Sequence, residues 1–332
     1  MKTAVIGVGA IGGLFLGYLK ERNIDVTGVA RDYQIASLLE EGILIDGIRG
    51  SKVIGDLNVS PRLSEKVDLA VFATKTQNLE EAIRSNLDYL KDAYVLSTQN
   101  GVYAEHLLNK YFDTRRIVSG IVMFGATFFS PNKVTHNFDG KLILGSVFNE
   151  GIETADKLGA FLSLVFDVCV AENIKGKKYL KLFVNLNNCI AGCLGGSIQE
   201  VFSDIDVCAV AVSIIAEAYK VINAGSIVLE DLPTYPAQRV HDLANMPRSE
   251  ATSLFSKIMT SLSKDPLYGS ILQSIRRQKK SEIDYINGEV VKVAKENNIE
   301  APVNEAIVKM VHEVEDTGRF FDKQEFLKTI NI

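Results

Sequence analysis

Two sets of residues in this chain have the types and spacing to do chemistry. The first lies at the start. Gly7, Gly9 and Gly12 fall in a G-x-G-x-x-G pattern, after an apolar run from Thr3 to Ile6 and before a helical pattern from Ala10 to Lys20. A strand before and a helix after is the context in which such glycines cradle a dinucleotide pyrophosphate. Gly7 permits the tight turn out of the strand, Gly9 lets the backbone approach phosphate, and Gly12 lets the helix pack close on the strand. The helix N-terminus adds unpaired N–H groups and a partial positive charge. The turn Gly7, Val8, Gly9, Ala10, Ile11, Gly12 is therefore the expected phosphate site; a glycine turn without a ligand is the plainer alternative.

The second set lies past the middle. Lys181, Asn185 and Asn188 sit at i, i+4 and i+7 in a stretch, Lys175 to about Cys193, that is otherwise apolar nearly all round. A helix of that kind is normally buried. A lysine and two amides inside it are costly unless paired or functional. The plainer alternative is an exposed stripe, with Lys181 reaching out to water.

Elements that alternate between strand and helix must position the first set. Asp25 to Ala30 reads as a second strand, followed by Arg31 and Asp32. At this point of a dinucleotide fold an acidic residue holds the ribose 2′-hydroxyl of NAD, whereas an arginine accommodates the 2′-phosphate of NADP. Arg31 comes first and its guanidinium offers phosphate a bidentate fork, so NADP(H) is the expected cofactor. Asp32 suits a helix start. Gly42–Asp46 and Ser51–Gly55 read as short strands of a hairpin-like excursion. Val67–Thr74 is a buried strand ending at Lys75, and Tyr94–Thr98 is another, ending at Gln99 and Asn100. Residues at the carboxyl ends of parallel strands face the ligand crevice, so Lys75 and Asn100 are candidate cofactor neighbours. Ile117–Ala126 follows, then meander-like strands at 133–136 and 141–145, a helix at 152–164 and a last strand at 167–171. The pattern predicts a parallel doubly wound sheet.

From about Lys175 helical periods dominate. The expected organisation is α/β, a dinucleotide-binding domain over 1–172 and an all-α domain over 173–332. Asp204–Gly225 reads as a long apolar helix, suited to a core or to a homodimer interface. Ser249–Leu262 and Pro266–Ile275 read as helices. Ser281–Gly288 reads as the start of one more, with Glu282, Tyr285, Ile286 and Glu289 on one face. Asn304–Asp316 closes the bundle.

Composition narrows the class. The chain has 332 residues, 47% hydrophobic and 23% charged, which suits a globular protein of about two domains. A net charge of −5 argues against a nucleic-acid surface. No apolar run reaches membrane-spanning length. Met1-Lys2 leads straight into the first strand, with no signal-peptide pattern. Cys169, Cys189, Cys193 and Cys208 form no disulfide framework and no C-x-x-C pattern, and reduced thiols in a cytoplasmic protein are the expectation. Cys189 and Cys193 share a helix face and suit core packing. His106, His136, His241 and His312 have no ligand spacing, so no metal site is expected.

Four blocks of the sequence resemble the ketopantoate reductase family. They are Gly7–Gly12 with Arg31; Ala73–Lys75 with Gln99–Gly101; Lys181–Asn185; and Ser270–Ile275 with Glu282–Gly288. The resemblance spans the chain. It implies a Rossmann-like N-terminal domain, a helical C-terminal domain, and an active site in the cleft between them. It implies Lys181 as catalytic acid and Glu282 as a second catalytic group that helps hold cofactor and substrate. Cofactor contacts are implied from the glycine turn, Arg31, Lys75, Asn100, Ala126 and Glu282. Substrate contacts with a small 2-ketoacid are implied from Lys181, Asn185 and Ser270, with Asn188 beside them. The sequence departs from the family pattern at three places: Cys189 stands where a further Asn is usual, Gln199 where a substrate Asn is expected, and Leu267 before Ser270.

The chemistry agrees with these roles. Hydride reduction of a ketone builds negative charge on its oxygen. A lysine whose cleft depresses its pKa can stabilise that charge and release a proton. The expected reaction is reduction of 2-dehydropantoate to pantoate. Two alternatives are a reductase of another 2-keto or 3-hydroxy acid and a dinucleotide sensor without turnover.

Overall fold

The computed structural model describes residues 1–330. They form two compact units that divide between Lys175 and Gly176.

The first unit is the α/β one. Its elements are β1 (Thr3–Ile6), α1 (Ala10–Glu21), β2 (Val26–Val29), α2 (Asp32–Glu40), β3 (Ile43–Gly47), β4 (Lys52–Ile54), β5 (Asn58–Ser60), β6 (Leu69–Phe72), α3 (Leu79–Leu90), β7 (Tyr94–Ser97), α4 (Tyr103–Leu108), β8 (Ile117–Val122), β9 (Gly125–Ser130), β10 (Lys133–Phe138), β11 (Leu142–Gly145), α5 (Ile152–Leu162) and β12 (Val168–Val170). The main sheet has the order β12-β11-β8-β7-β6-β1-β2-β5. Strands β1, β2 and β6 are buried at every residue. Strands covered on both faces read as continuous apolar runs, which is why these were visible in the sequence. One hydrophobic core fills each face of the sheet, one around Leu14, Phe15 and Leu158, the other around Ile6, Phe72 and Ile83.

Three expectations need correction. The sheet is not wholly parallel: β11 pairs with β8 antiparallel and with β12 parallel, so the last two strands run against the rest. The stretch Ile117–Ala126 is not one strand, because the chain leaves the main sheet at Met123 and Phe124. The strand at 133–136 does not continue a meander into 141–145. It joins a second sheet, β4-β3-β10-β9, where β10 pairs parallel with β3. That sheet lies against α1, where Gly13 and Gly17 make room: a Cβ at Gly13 would stand 2.7 Å from Val134, and one at Gly17 2.4 Å from Ile45. Small residues on a helix are the only ones that admit strands so closely.

The second unit is helical. It holds α6 (Ile174–Leu186), whose first two residues precede the unit boundary, α7 (Asn188–Leu194), α8 (Ile198–Phe202), α9 (Ile205–Ala224), α10 (Ala237–Asn245), α11 (Arg248–Thr260), α12 (Ser270–Arg276), α13 (Asn287–Glu296), α14 (Pro302–Thr317) and α15 (Lys323–Ile330). The long apolar helix α9 is capped by Asp204, whose carboxylate accepts from the Asp206 and Val207 N–H groups. It packs against α8, α10, α11, α13, α14 and α15. Its apolar faces therefore build the core of the unit. Glu217, from α9, caps another helix: its carboxylate accepts from the Val303 and Asn304 N–H groups at 2.9 and 2.8 Å, at the start of α14.

The predicted helix over 175–193 is two helices. It breaks at Asn187 (φ −87°, ψ 0°) before α7 begins at Asn188. Pro266–Gly269 is not helical, and α12 starts only at Ser270. Among the described residues, no helix is long and apolar enough to cross a membrane.

Candidate active site

In the first unit the chemistry gathers at one edge of the main sheet. β7, β6, β1 and β2 are adjacent and parallel, with Ile6 in register with Val29 and Phe72, and Phe72 with Ser97. Gly7, Arg31, Lys75 and Asn100 follow the carboxyl ends of these four strands. The edge is the one where open α/β sheets place ligands.

The glycine turn has the geometry its spacing demands. Gly7 has φ +100°, and a Cβ there would stand 2.8 Å from the Thr74 nitrogen. A Cβ on Gly12 would come within 1.9 Å of the Gly7 carbonyl oxygen, so only glycine lets α1 start this close to β1. Gly9, at the N-cap of α1, is different: a Cβ there would meet nothing within 4 Å. Val8 is buried, while Gly9, Ala10 and Ile11 are half-buried at the head of the helix. This backbone is suited to a pyrophosphate.

Arg31 is the N-cap residue of α2, exposed, in extended conformation. Among the described residues its guanidinium pairs with no carboxylate. Asp32 is the first residue of α2 and is exposed. Beneath them lies Gln34, which the sequence did not single out. It is 4% exposed. Its Nε2 donates to the Val8 carbonyl at 2.7 Å and to the Pro131 carbonyl at 3.3 Å, and its Oε1 accepts from the Arg31 N–H at 3.4 Å. The sequence signature for such a residue is a Ser, Thr, Asp or Asn three positions earlier; here that position is Arg31.

Lys75 and Asn100 are half-buried. Between their strands Gln99 acts as a brace: its Nε2 donates to the Phe72 and Thr74 carbonyls at 3.1 and 2.9 Å, fixing the carboxyl end of β6 to that of β7. Ala126 stands apart, on β9 in the second sheet, opposite His136 and half-buried.

In the second unit Lys181 and Asn185 share a face of α6, one turn apart, both half-buried. Leu180, Leu182, Phe183 and Leu186 around them are buried. Burial pushes the Lys181 ammonium down to about 8. Asn188 does not continue the same helix as Lys181 and Asn185. The break at Asn187 puts it in the first turn of α7. There its side chain lies over the backbone before Ser270: a Cβ on Gly269 would be 3.0 Å from Asn188 Oδ1. Asn188 and Ser270 are thus brought together by α7 and α12, while Lys181 and Asn185 stand on α6. Ser270 is exposed, at the first position of α12.

The three departures have structural explanations. Cys189 is fully buried, and its thiol donates to the Leu186 carbonyl at 3.0 Å. Burial pushes it up to about 12. Cys193, also buried, lies well above the usual thiol range for the same reason. The Gln199 amide is used at both ends. Its Nε2 donates to the Ser263 and Asp265 carbonyls at 3.1 and 2.9 Å, and its Oε1 accepts from the Leu267 N–H at 2.9 Å. It staples the segment that leads into α12. Leu267 itself is 36% exposed.

Glu282 does not share a helix with Glu289. It is half-buried and precedes a short 3-10 turn, Ile283–Tyr285. Ile286 (φ −114°, ψ −85°) then breaks the path before α13. The backbone beside Glu282 is held by the Ser281 N–H, which donates to Glu315 Oε1 at 2.7 Å. Asn287 is fully buried; its Nδ2 donates to Asn304 Oδ1 at 3.1 Å, and Asn304 Nδ2 donates to Glu217 Oε1 at 2.8 Å. The asparagine that ends the Glu282–Asn287 block is therefore an anchor among α13, α14 and α9.

Comparison with known proteins decides the family. The model of "Ketopantoate reductase PanE/ApbA" matches residues 3–149, and that of its C-terminal domain matches residues 173–315. The chain belongs to the ketopantoate reductase family. It is an oxidoreductase. A relative from Pyrococcus abyssi named 2-dehydropantoate 2-reductase is 31% identical over 312 residues, covering 92% of this chain and 94% of that protein. One of the same name from Pyrococcus horikoshii is 29% identical, covering 96% of this chain and 99% of that protein. Among solved structures, D-mandelate dehydrogenase with NADH and anilino(oxo)acetate has a TM-score of 0.81 at 24% identity, covering 96% of this chain and 99% of that one. A PanE/ApbA family ketopantoate reductase from Ralstonia eutropha JMP134 also scores 0.81, at 23% identity, covering 95% of this chain and 99% of that one. These two likenesses speak to the fold.

Proposed function

We propose that this protein binds NADP(H) and reduces 2-dehydropantoate to pantoate, with Lys181 as the proton donor. The observation that carries the reading is Lys181 itself: an ammonium flanked by the buried Leu180, Leu182, Phe183 and Leu186, pushed by burial down to about 8, in a family of reductases. When bound, the reduced nicotinamide supplies a hydride to the ketone carbon. Negative charge grows on the ketone oxygen. The Lys181 ammonium stabilises that charge and delivers its proton to the oxygen, leaving a neutral amine and an alcohol. At pH 7 Lys181 is still mostly protonated, yet it gives up its proton more readily than an exposed lysine does.

The other roles follow from residue chemistry. The Gly7–Gly12 turn takes the pyrophosphate, Arg31 takes the 2′-phosphate, and Lys75, Asn100 and Ala126 are further cofactor neighbours. Asn185, Asn188 and Ser270 supply donors and acceptors to the ketoacid. Glu282 accepts from a hydroxyl of substrate or cofactor, or orients Lys181.

A second reading, reduction of a related branched 2-ketoacid, draws support from Cys189 and Gln199. The thiol is buried and the amide is saturated by backbone, so neither offers the hydrogen bond that an asparagine would give a substrate hydroxyl. A site lacking such partners discriminates less against ketoacids without the hydroxyl. NADPH oxidation over a panel of 2-dehydropantoate and 2-ketoacids with and without the terminal hydroxyl tests both readings. Turnover with 2-dehydropantoate supports the first; turnover only with another ketoacid supports the second.

A further inference from the structure

We propose that Gln34 is a positioning residue for the dinucleotide, acting through the Val8–Gly9 peptide of the glycine turn; this rests on the cofactor reading above. Gln34 lies on α2, yet its side-chain amide crosses to a residue 26 positions earlier. Its chemistry fixes its orientation. The Val8 and Pro131 oxygens can only accept, so the NH₂ end must face them; the Arg31 N–H can only donate, so the carbonyl end must face it. All three groups are served by one amide, which is itself buried.

The consequence lies in the peptide plane. A trans peptide is rigid, with C=O and N–H on opposite sides. Gln34 holds the Val8 carbonyl toward α2 at 2.7 Å, so the Gly9 N–H points the other way. Gly9 is the N-cap of α1 and has no side chain to limit that peptide's rotation. Without Gln34, the plane between Val8 and Gly9 loses its tether, and the N–H that would meet phosphate is no longer preset. The same amide reaches Arg31 through the long 3.4 Å bond and the β9–β10 turn through Pro131 at 3.3 Å. The Val8 bond is the shortest of the three, so the pyrophosphate arm dominates. That arm is common to NADH and NADPH.

Gln34→Met keeps the volume and removes the hydrogen bonds. Fluorescence titration with NADPH and with NADH should show both dissociation constants rising by about tenfold, while kcat at saturating NADPH stays within about twofold. Arg31→Ala, by contrast, should weaken NADPH alone. Gln34→Glu supplies an internal control. Its carboxylate faces two carbonyl oxygens at pH 8, but once protonated it can donate to Val8. Binding of ADP-ribose, followed by calorimetry, should be weaker than for the Met variant at pH 8. At pH 5 it should recover to within about threefold of the unmutated protein at that pH. Melting temperatures recorded alongside separate binding from folding. Unchanged NADH affinity in Gln34→Met, an equal fall in kcat, or loss of folding in both variants overturns the proposal. If the unmutated protein binds neither NADPH nor NADH, the cofactor reading falls and this one with it.

Discussion

The candidate site of the first unit is built mainly from backbone, and the candidate residues of the second are side chains on separate helices. At the Gly7–Gly12 turn, groups that matter are peptide N–H and C=O, placed by four adjacent parallel strands and by buried braces at Gln34 and Gln99. In the helical unit, Lys181 and Asn185 stand on α6, Asn188 on α7, Ser270 on α12 and Glu282 before a 3-10 turn. A backbone site tolerates no added Cβ where chain meets chain, and its failure is a failure of shape. A side-chain site can lose one group and keep its fold. The difference teaches where binding and where chemistry should be sensitive to mutation.

The contrast breaks if removing Lys181 is mild. Lys181→Ala should lower kcat by on the order of a hundredfold or more, with NADPH affinity and melting temperature nearly unchanged, as steady-state kinetics and fluorescence titration can read. A large loss of NADPH affinity instead would return Lys181 to the binding side of the comparison.

Within the glycine turn, two substitutions of equal size should behave differently. Gly12→Ala drives a methyl toward the Gly7 oxygen, 1.9 Å away, and should cost several kcal/mol or abolish folding. Gly9→Ala meets nothing within 4 Å, so it should leave thermal unfolding unchanged while weakening NADPH by about tenfold or more. Equal melting temperatures for the two would contradict the geometry.

Arg31 is the side-chain exception in the first unit. Replacing it with Ala should remove a preference for NADPH over NADH of about ten- to a hundredfold, the worth of a charge-assisted contact of about 1.5–3 kcal/mol. Parallel titrations give the ratio directly. A smaller effect belongs to Gln199→Ala, which frees the segment from Ser263 to Leu267. KM for the ketoacid should rise by about tenfold, with kcat within about threefold, because the staple acts on α12 and not on Lys181.

The same contrast explains what could be read in the sequence. The glycine turn was legible because a contiguous motif between an apolar strand and a helix has one mechanical meaning. The strand-end positions of Arg31, Lys75 and Asn100 were legible because the strands of a parallel sheet are recognisable from apolar runs. Asn188 was put on one continuous helix with Lys181 because periodicity carried the helix through Asn187, where no Pro or Gly marks the break. Glu282 and Glu289 were put on one helix for the same reason, although Ile286 interrupts it. The second sheet was missed because β3 and β10 pair Leu44 with Lys133, far apart in sequence, and the antiparallel β11 because no local pattern reports strand direction. Gln34 looks like an ordinary surface polar residue, and Gln199 only a departure from the family pattern, until their carbonyl partners, distant in sequence, are known.

The most direct test of the central claim is the pH dependence of NADPH oxidation with 2-dehydropantoate. In the proposed mechanism reduction needs the Lys181 ammonium, which burial pushes down to about 8, and that value sets the limb. The unmutated protein should turn over at a constant rate below pH ~8 and lose about tenfold per pH unit above it, with Lys181→Ala slow and flat across the range. A rate that stays constant to pH 10, or a Lys181→Ala variant that keeps the same limb, would contradict the assignment of Lys181 as the acid.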